Sequence, residues 1–235
     1  MDPLIITVAS TNVKWTKRDN PYMPETPEEI AEDIIQAFEE GAVVAHIHGR
    51  DETGKVTFDP KYYRKIVERV HQHCHMIIQI STGGPPAPLE QKLDPIRELL
   101  PDMASLNIRG TPEEIEYTAK VLKELKVVPV VEAFNIDMIE KANILIERGL
   151  IEHPPHFELV FDLEWNWSKS LLEDYDEISK RIRAMRPGSI WSRNRGGHNQ
   201  FPLDIMTILL GGHVRVGLED NLFIKQGEFL YGRRT

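Results

Sequence analysis

The sequence predicts a TIM (β/α)8 barrel with a short or missing last helix. Three observations lead there: β-rich runs alternate with amphipathic helical segments along the whole chain, eight such runs occur, and 235 residues is close to the length that eight βα units need. The runs are LIITVAS (4–10), VVAHIH (43–48), MIIQIS (76–81), MASLNI (103–108), VVPVVEAF (127–134), FELVFDL (157–163), SIWSR (189–193) and HVRVGLE (213–219). Their length and their β-branched and aromatic content suit buried strands of a parallel sheet. Between them lie TPEEIAEDIIQAFEEG, DPKYYRKIVERVHQ, LEQKLDPIRELL, TPEEIEYTAKVLKEL, MIEKANILIERG, LLEDYDEISKRIRAM and PLDIMTILLGG. These place apolar residues at i, i+3 and i+4, and several open with a cap residue followed by proline at the first helical position. A doubly wound open sheet is the competing architecture, but the turn after the first strand, ASTNVKWTKRDNP, has no glycine fingerprint. After the eighth strand only NLFIKQGEFLYGRRT remains, too short for a full closing helix. The barrel flank beside the seventh helix is then partly bare, which predicts a homo-oligomer.

Composition narrows the function classes. Aspartate and glutamate outnumber lysine and arginine, 37 to 28, so the net charge of -9 disfavours nucleic acid and anionic membranes as partners. No stretch has the length of a membrane span, the first residues lack the basic region of a signal peptide, and Cys74 is the only cysteine. The chain reads as one cytoplasmic domain spanning 1–235, since linker-like and low-complexity tracts are absent.

The run AVVAHIHGRD carries the sharpest chemical signal. Residues i and i+2 of a strand share a face, so His46 and His48 project to one side at the C-terminal end of the second strand, the catalytic end of a barrel. Two imidazoles need a third ligand to hold a divalent ion, and strand eight ends in Glu219 and Asp220. His46, His48 and Glu219 therefore form a candidate two-histidine, one-carboxylate site. A second histidine cluster, HQHCHM, offers His71, His73 and His75, but it precedes the third strand at the opposite end of the barrel and reads as structural. Trp165 and Trp167 read as pocket-mouth or core residues.

Together, PETPEEIAEDIIQAFEEGAVVAHIHGRDETGK, IIQISTGG, MASLNI, VVPVVEAF and GGHVRVGLEDNLF resemble the β-keto acid cleavage enzyme family, which includes the 3-keto-5-aminohexanoate cleavage enzymes. The resemblance implies a zinc-dependent barrel that converts a β-keto acid and acetyl-CoA into acetoacetate and a new acyl-CoA. It implies His46, His48 and Glu219 as ligands of Zn2+, and Asp220, Arg215 and Glu132 as catalytic residues. In this reading Asp220 forms the acetyl-CoA enolate and Arg215 orients it, an Arg215–Asp220 ion pair being the purely structural alternative. Ser81, Thr82, Gly83 and Gly84, with Ser105 and Asn107, match substrate-binding positions.

Three departures bear on the substrate. Lys14 stands where family members acting on amino-bearing substrates carry an acidic residue, a reversal that favours an anionic substrate such as a β-keto diacid. Arg193 and Arg195 are added after the seventh strand, as further cations for a second substrate carboxylate or for the CoA phosphates. The loop after Asn107 is also shorter than in the family. Two other functions compete: a metal-dependent aldolase or lyase that uses no CoA, and a non-catalytic binding protein, against which the retention of Arg215 and Asp220 argues.

Overall fold

The computed structural model describes residues 3–161, 171–194, 200–225 and 228–229. Eight parallel strands form a closed barrel in chain order: β1 (Ile6–Ala9), β2 (Val44–Ile47), β3 (Ile77–Ile80), β4 (Met103–Asn107), β5 (Val128–Ala133), β6 (His156–Val160), β7 (Ile190–Asn194) and β8 (His213–Val216). Seven helices alternate with them: α1 (Pro27–Glu39), α2 (Pro60–His71), α3 (Leu89–Leu99), α4 (Pro112–Leu125), α5 (Ile136–Glu147), α6 (Leu171–Ala184) and α7 (Gln200–Leu209). All eight strand runs and all seven helical segments read from the sequence are present.

The helix starts form as their residues dictate. Thr26 and Thr111 each accept from the backbone of a glutamate three residues on, and Glu29 and Glu114 reach back to close capping boxes. Each such cap is worth about 1 kcal/mol and fixes where the preceding βα loop must end. Asp59 caps α2 in the same way through Lys61 N–H.

The described residues pack as two compact units, one built on Ile5–Ala104 with the segment from Val216 onward and the other on Ser105–Arg215. In the first, the N-terminal unit, the ladder sets Ala9 beside His46 and His46 beside Gln79, and Ile30, Ile34, Tyr63, Ile66, Leu93 and Ile96 form a fully buried helix-facing layer. In the second, the C-terminal unit, Glu132, Glu158 and Ser192 fall in one register across β5, β6 and β7.

Strand eight ends three residues earlier than its run suggests. Gly217 has φ +141, a conformation that side chains resist, and a Cβ there would lie 2.2 Å from the Ala9 carbonyl oxygen. The chain therefore turns at Gly217, against β1, and Glu219 sits in the turn rather than in the strand. Among the described residues no helix follows β8. Two short strands that the sequence reading did not foresee, β9 (Phe223–Lys225) and β10 (Glu228–Phe229), pair antiparallel with the Phe223 and Phe229 rings stacked. No helix among the described residues is long and apolar enough to cross a membrane.

Candidate active site

In the N-terminal unit the strand period delivers the two histidines as expected. His46, inside β2, and His48, one residue past its end, are both buried, with ring centroids 5.3 Å apart. The turn at Gly217 brings Glu219 to them: its Oε1 lies 3.6 Å from His46 Nε2 and 3.3 Å from His48 Nε2. The ligand atoms of all three residues lie within 4.8 Å of one another, and this is the only such group of histidine, cysteine or carboxylate side chains among the described residues. Two imidazole nitrogens and one carboxylate oxygen, converging and almost dry, suit a divalent ion such as zinc and leave coordination positions for substrate. His48 Nδ1 is buried and meets no hydrogen-bond partner among the described residues.

Two residues that the sequence reading passed over support this cluster, Asn12 by bonding Glu219 and Arg50 by bonding the loop that carries Asn12. Asn12, just after β1, donates from Nδ2 to the Glu219 carbonyl at 3.1 Å, while its Oδ1 accepts from the Lys14 and Trp15 backbone. The Glu219 N–H in turn donates to Ala9 O at 3.0 Å. Arg50, in the same HIHGRD motif as the ligands, is buried; its guanidinium donates to Thr11 Oγ1 at 3.0 Å, to Gly54 O and Trp15 O at 2.7 Å, and to Asn12 O. Burial pushes its pKa down. One guanidinium thus ties the loops after β1 and β2 together. A buried arginine in a motif that already supplies two ligands is the signal that could have found it.

The STGG segment adjoins the same cluster. Ser81 and Thr82 are buried, Gly83 N–H donates to Ser81 Oγ at 3.2 Å, and a Cβ built on Gly83 would stand 3.8 Å from His48 Cε1. That distance is ordinary van der Waals contact, so the segment runs directly beside the histidine. Gly84, at φ +146, turns the chain over Phe58. Asp220, next to Glu219, donates its N–H to Gly217 O at 3.1 Å within the same turn.

The C-terminal unit gathers the other expected residues. Ser105 is buried on β4, and Asn107, at the end of that strand, donates from Nδ2 to Glu132 Oε2 at 3.2 Å. Arg215 on β8 pairs with Glu158 on β6 at 3.0 Å, both side chains only 2% exposed. Glu158 was not foreseen. It stands beside Glu132 in the ladder, 26 positions away in sequence, and only the register reveals it.

A family model described as beta-keto acid cleavage enzyme matches residues 3–230. The chain belongs to the beta-keto acid cleavage enzyme family. It is 36% identical over 240 residues to a 3-keto-5-aminohexanoate cleavage enzyme of Fusobacterium nucleatum subsp. nucleatum, covering 97% of this chain and 86% of that one. It is 30% identical to a 3-oxoadipate:acetyl-CoA acetyltransferase of Cupriavidus necator, over 94% of this chain and 81% of that one. Among solved structures, a binary complex of ObcA with oxaloacetate superposes with TM-score 0.70 at 23% identity, over 86% of this chain and 58% of that chain, a likeness of fold.

The other residues singled out from the sequence have surroundings of their own. Lys14 is exposed on the loop after β1, two residues beyond Asn12, whose Oδ1 accepts from the Lys14 N–H at 2.8 Å. Arg193, read above as a group for substrate or CoA, instead pairs with Asp204 of α7 at 3.0 Å and is 0% exposed. The strand period explains the misreading: Ser192, not Arg193, shares the face of Glu158, so Arg193 projects into the helix layer. His71 and His73 donate to the backbone carbonyls of Met76 and Arg69, a structural use of the second histidine cluster. Trp165, Trp167 and Arg195 lie outside the described residues.

Proposed function

We propose that this protein exchanges acyl groups between a β-keto acid and acetyl-CoA, releasing acetoacetate and a new acyl-CoA. The observation that supports this most is the convergence of His46, His48 and Glu219 on one point in a chain of this family. Relatives are named for the same pairing of a keto acid with acetyl-CoA. His46, His48 and Glu219 hold the divalent ion, zinc by its donor set. When bound, that ion supplies Lewis-acid polarisation of the keto and carboxylate oxygens.

The atoms decide which carbon must lose its proton. The exchange R–CO–CH2–COO− plus CH3–CO–SCoA gives CH3–CO–CH2–COO− plus R–CO–SCoA. The bond that breaks joins C2 and C3 of the keto acid, and the bond that forms joins C2 to the acetyl carbonyl carbon. The proton therefore leaves C2 of the keto acid, not the acetyl-CoA methyl assigned to Asp220 from the sequence. Asp220 takes that proton; the C2 carbanion adds to the thioester carbonyl and expels the CoA thiolate. The thiolate then attacks C3, the C2–C3 bond breaks, and Asp220 returns its proton to C2. Arg215, fixed by Glu158, stabilises negative charge on the reacting oxygens, and Glu132 acts with it, oriented by Asn107. Ser81, Thr82 and the amides of Gly83 and Gly84 bind the keto acid carboxylate, with Ser105 and Asn107 as further contacts.

Lys14 directs the preference toward a keto acid with an anionic far end, in keeping with the diacid named for the Cupriavidus relative. The protein works in the cytoplasm, with Cys74 buried and free. It assembles as a homo-oligomer through α7, whose outer stripe exposes Phe201 by 75% and Leu209 by 76%. Neutral, cationic and dianionic β-keto acids should be offered with and without acetyl-CoA, and acetoacetate and acyl-CoA read by mass spectrometry. The expected result is product only with acetyl-CoA, lost in His46→Ala and greatest for the dianion. Cleavage without acetyl-CoA would instead point to a lyase.

A further inference from the structure

Within the C-terminal unit, Arg109 follows β4 in the shortened loop. Its guanidinium carbon lies 3.4 Å from the centroid of the Phe134 ring, just after β5, so the side chain is laid over an aromatic platform. Its backbone is held as well: Arg109 N–H donates at 2.9 Å to Asn107 Oδ1, and Asn107 Nδ2 donates to Glu132. The same asparagine therefore fixes both the base of this arginine and a carboxylate assigned to the reaction. Arg109 is exposed, and it forms no ion pair with any carboxylate among the described residues. Stacking occupies one face of a guanidinium and leaves its edge, with the N–H donors, turned outward.

That combination differs from an ordinary surface arginine. Elsewhere in this unit Arg148 grips Glu116 with two hydrogen bonds of 2.8 Å, and Arg181 and Arg193 are buried with carboxylate partners. Arg109 is pre-ordered at the C-terminal strand ends without such a partner. An ordered guanidinium edge matches the planar, two-oxygen geometry of a carboxylate or the oxygens of a phosphate.

We propose that Arg109, seated on Phe134, is a specificity-determining residue that receives an oxyanion of the substrates: the distal carboxylate of the keto acid or a phosphate of CoA. This rests on the acyl-exchange reading above, in which substrates occupy the C-terminal ends of the strands, and it names the group that the shortened loop contributes. Lys14 belongs to the N-terminal unit, so the two cations can be separated by substitution.

The test is equilibrium binding, which does not depend on turnover. Zinc-loaded wild type and Arg109→Gln are titrated calorimetrically with adipate, hexanoate, CoA and dephospho-CoA. The expected result is a loss of about tenfold in affinity for adipate or for CoA in the variant, with hexanoate unchanged. A loss confined to adipate assigns the site to the distal carboxylate. A larger loss for CoA than for dephospho-CoA assigns it to the 3′-phosphate, and equal losses assign it to the diphosphate. Phe134→Leu, which keeps the charge and removes the platform, should lose affinity for the same ligand by a smaller factor. Unchanged affinity of Arg109→Gln for all four ligands, or failure of wild type to bind either adipate or CoA, overturns the proposal. The reaction assay is read separately: anion dependence without acyl-CoA formation keeps the site and discards the reaction, whereas acyl-CoA formation with an indifferent Arg109 does the reverse.

Discussion

Two histidine clusters in the N-terminal unit look alike on paper and do different things. HIH, at the end of β2, turns both imidazoles toward Glu219, whereas HQHCH, from the end of α2 toward β3, spends those of His71 and His73 on backbone carbonyls. Spacing does not separate them. What separates them is the end of the strand at which each falls, and whether a distant turn brings a carboxylate to meet it. Gly217 does this for the first cluster, and nothing equivalent reaches the second among the described residues.

The largest effect should come from breaking the first cluster. His46→Ala or Glu219→Gln should abolish bound metal, read by elemental analysis, and lower turnover on the order of 1,000-fold. Next, Asp220→Asn should lower turnover roughly 100-fold or more while metal content stays at the wild-type level, separating the base from the ligands beside it. Asn12→Ala leaves every ligand in place but releases the Glu219 backbone. Metal affinity, measured by chelator competition, should weaken about 10- to 100-fold. The second cluster supplies the contrast: His71→Ala should leave metal content and turnover unchanged and cost only about 1 kcal/mol of stability in urea unfolding.

The smallest expected effect concerns a histidine of the C-terminal unit. Burial, and then the charge of His213, hold His156 below its ordinary pKa of 6.5. Below that value the unfolded chain binds a proton that the folded chain resists, so stability should fall as pH drops through 6.5 toward the lowered folded pKa. His156→Phe should flatten that dependence in urea unfolding at successive pH values.

Strand and helix order was legible because apolar periodicity is local: a residue's neighbours at i+2 or i+4 are enough to assign it. His46 and His48 were legible for the same reason, and Glu219 was reached although the strand end was misplaced, because the turn at Gly217 carries it back to the histidines. Glu158 was not, since its importance depends on a buried pairing with Arg215, 57 positions away. Asn12 and Arg50 act through backbone groups of loops, which no side-chain pattern announces. Arg193 was misread because its strand phase was not counted against Glu158, and the Arg109 platform depends on a loop conformation that composition does not determine. Strand eight was drawn three residues too long because Gly217 was read as part of the run rather than as its end.

The measurement that bears most directly on the central claim is label transfer. Acetyl-CoA carrying 13C in both acetyl carbons is supplied with a turned-over β-keto acid, and both products are analysed by mass spectrometry. The account predicts acetoacetate labelled at its third and fourth carbons and an acyl-CoA with none. Unlabelled acetoacetate, or label retained in the acyl-CoA, would contradict it.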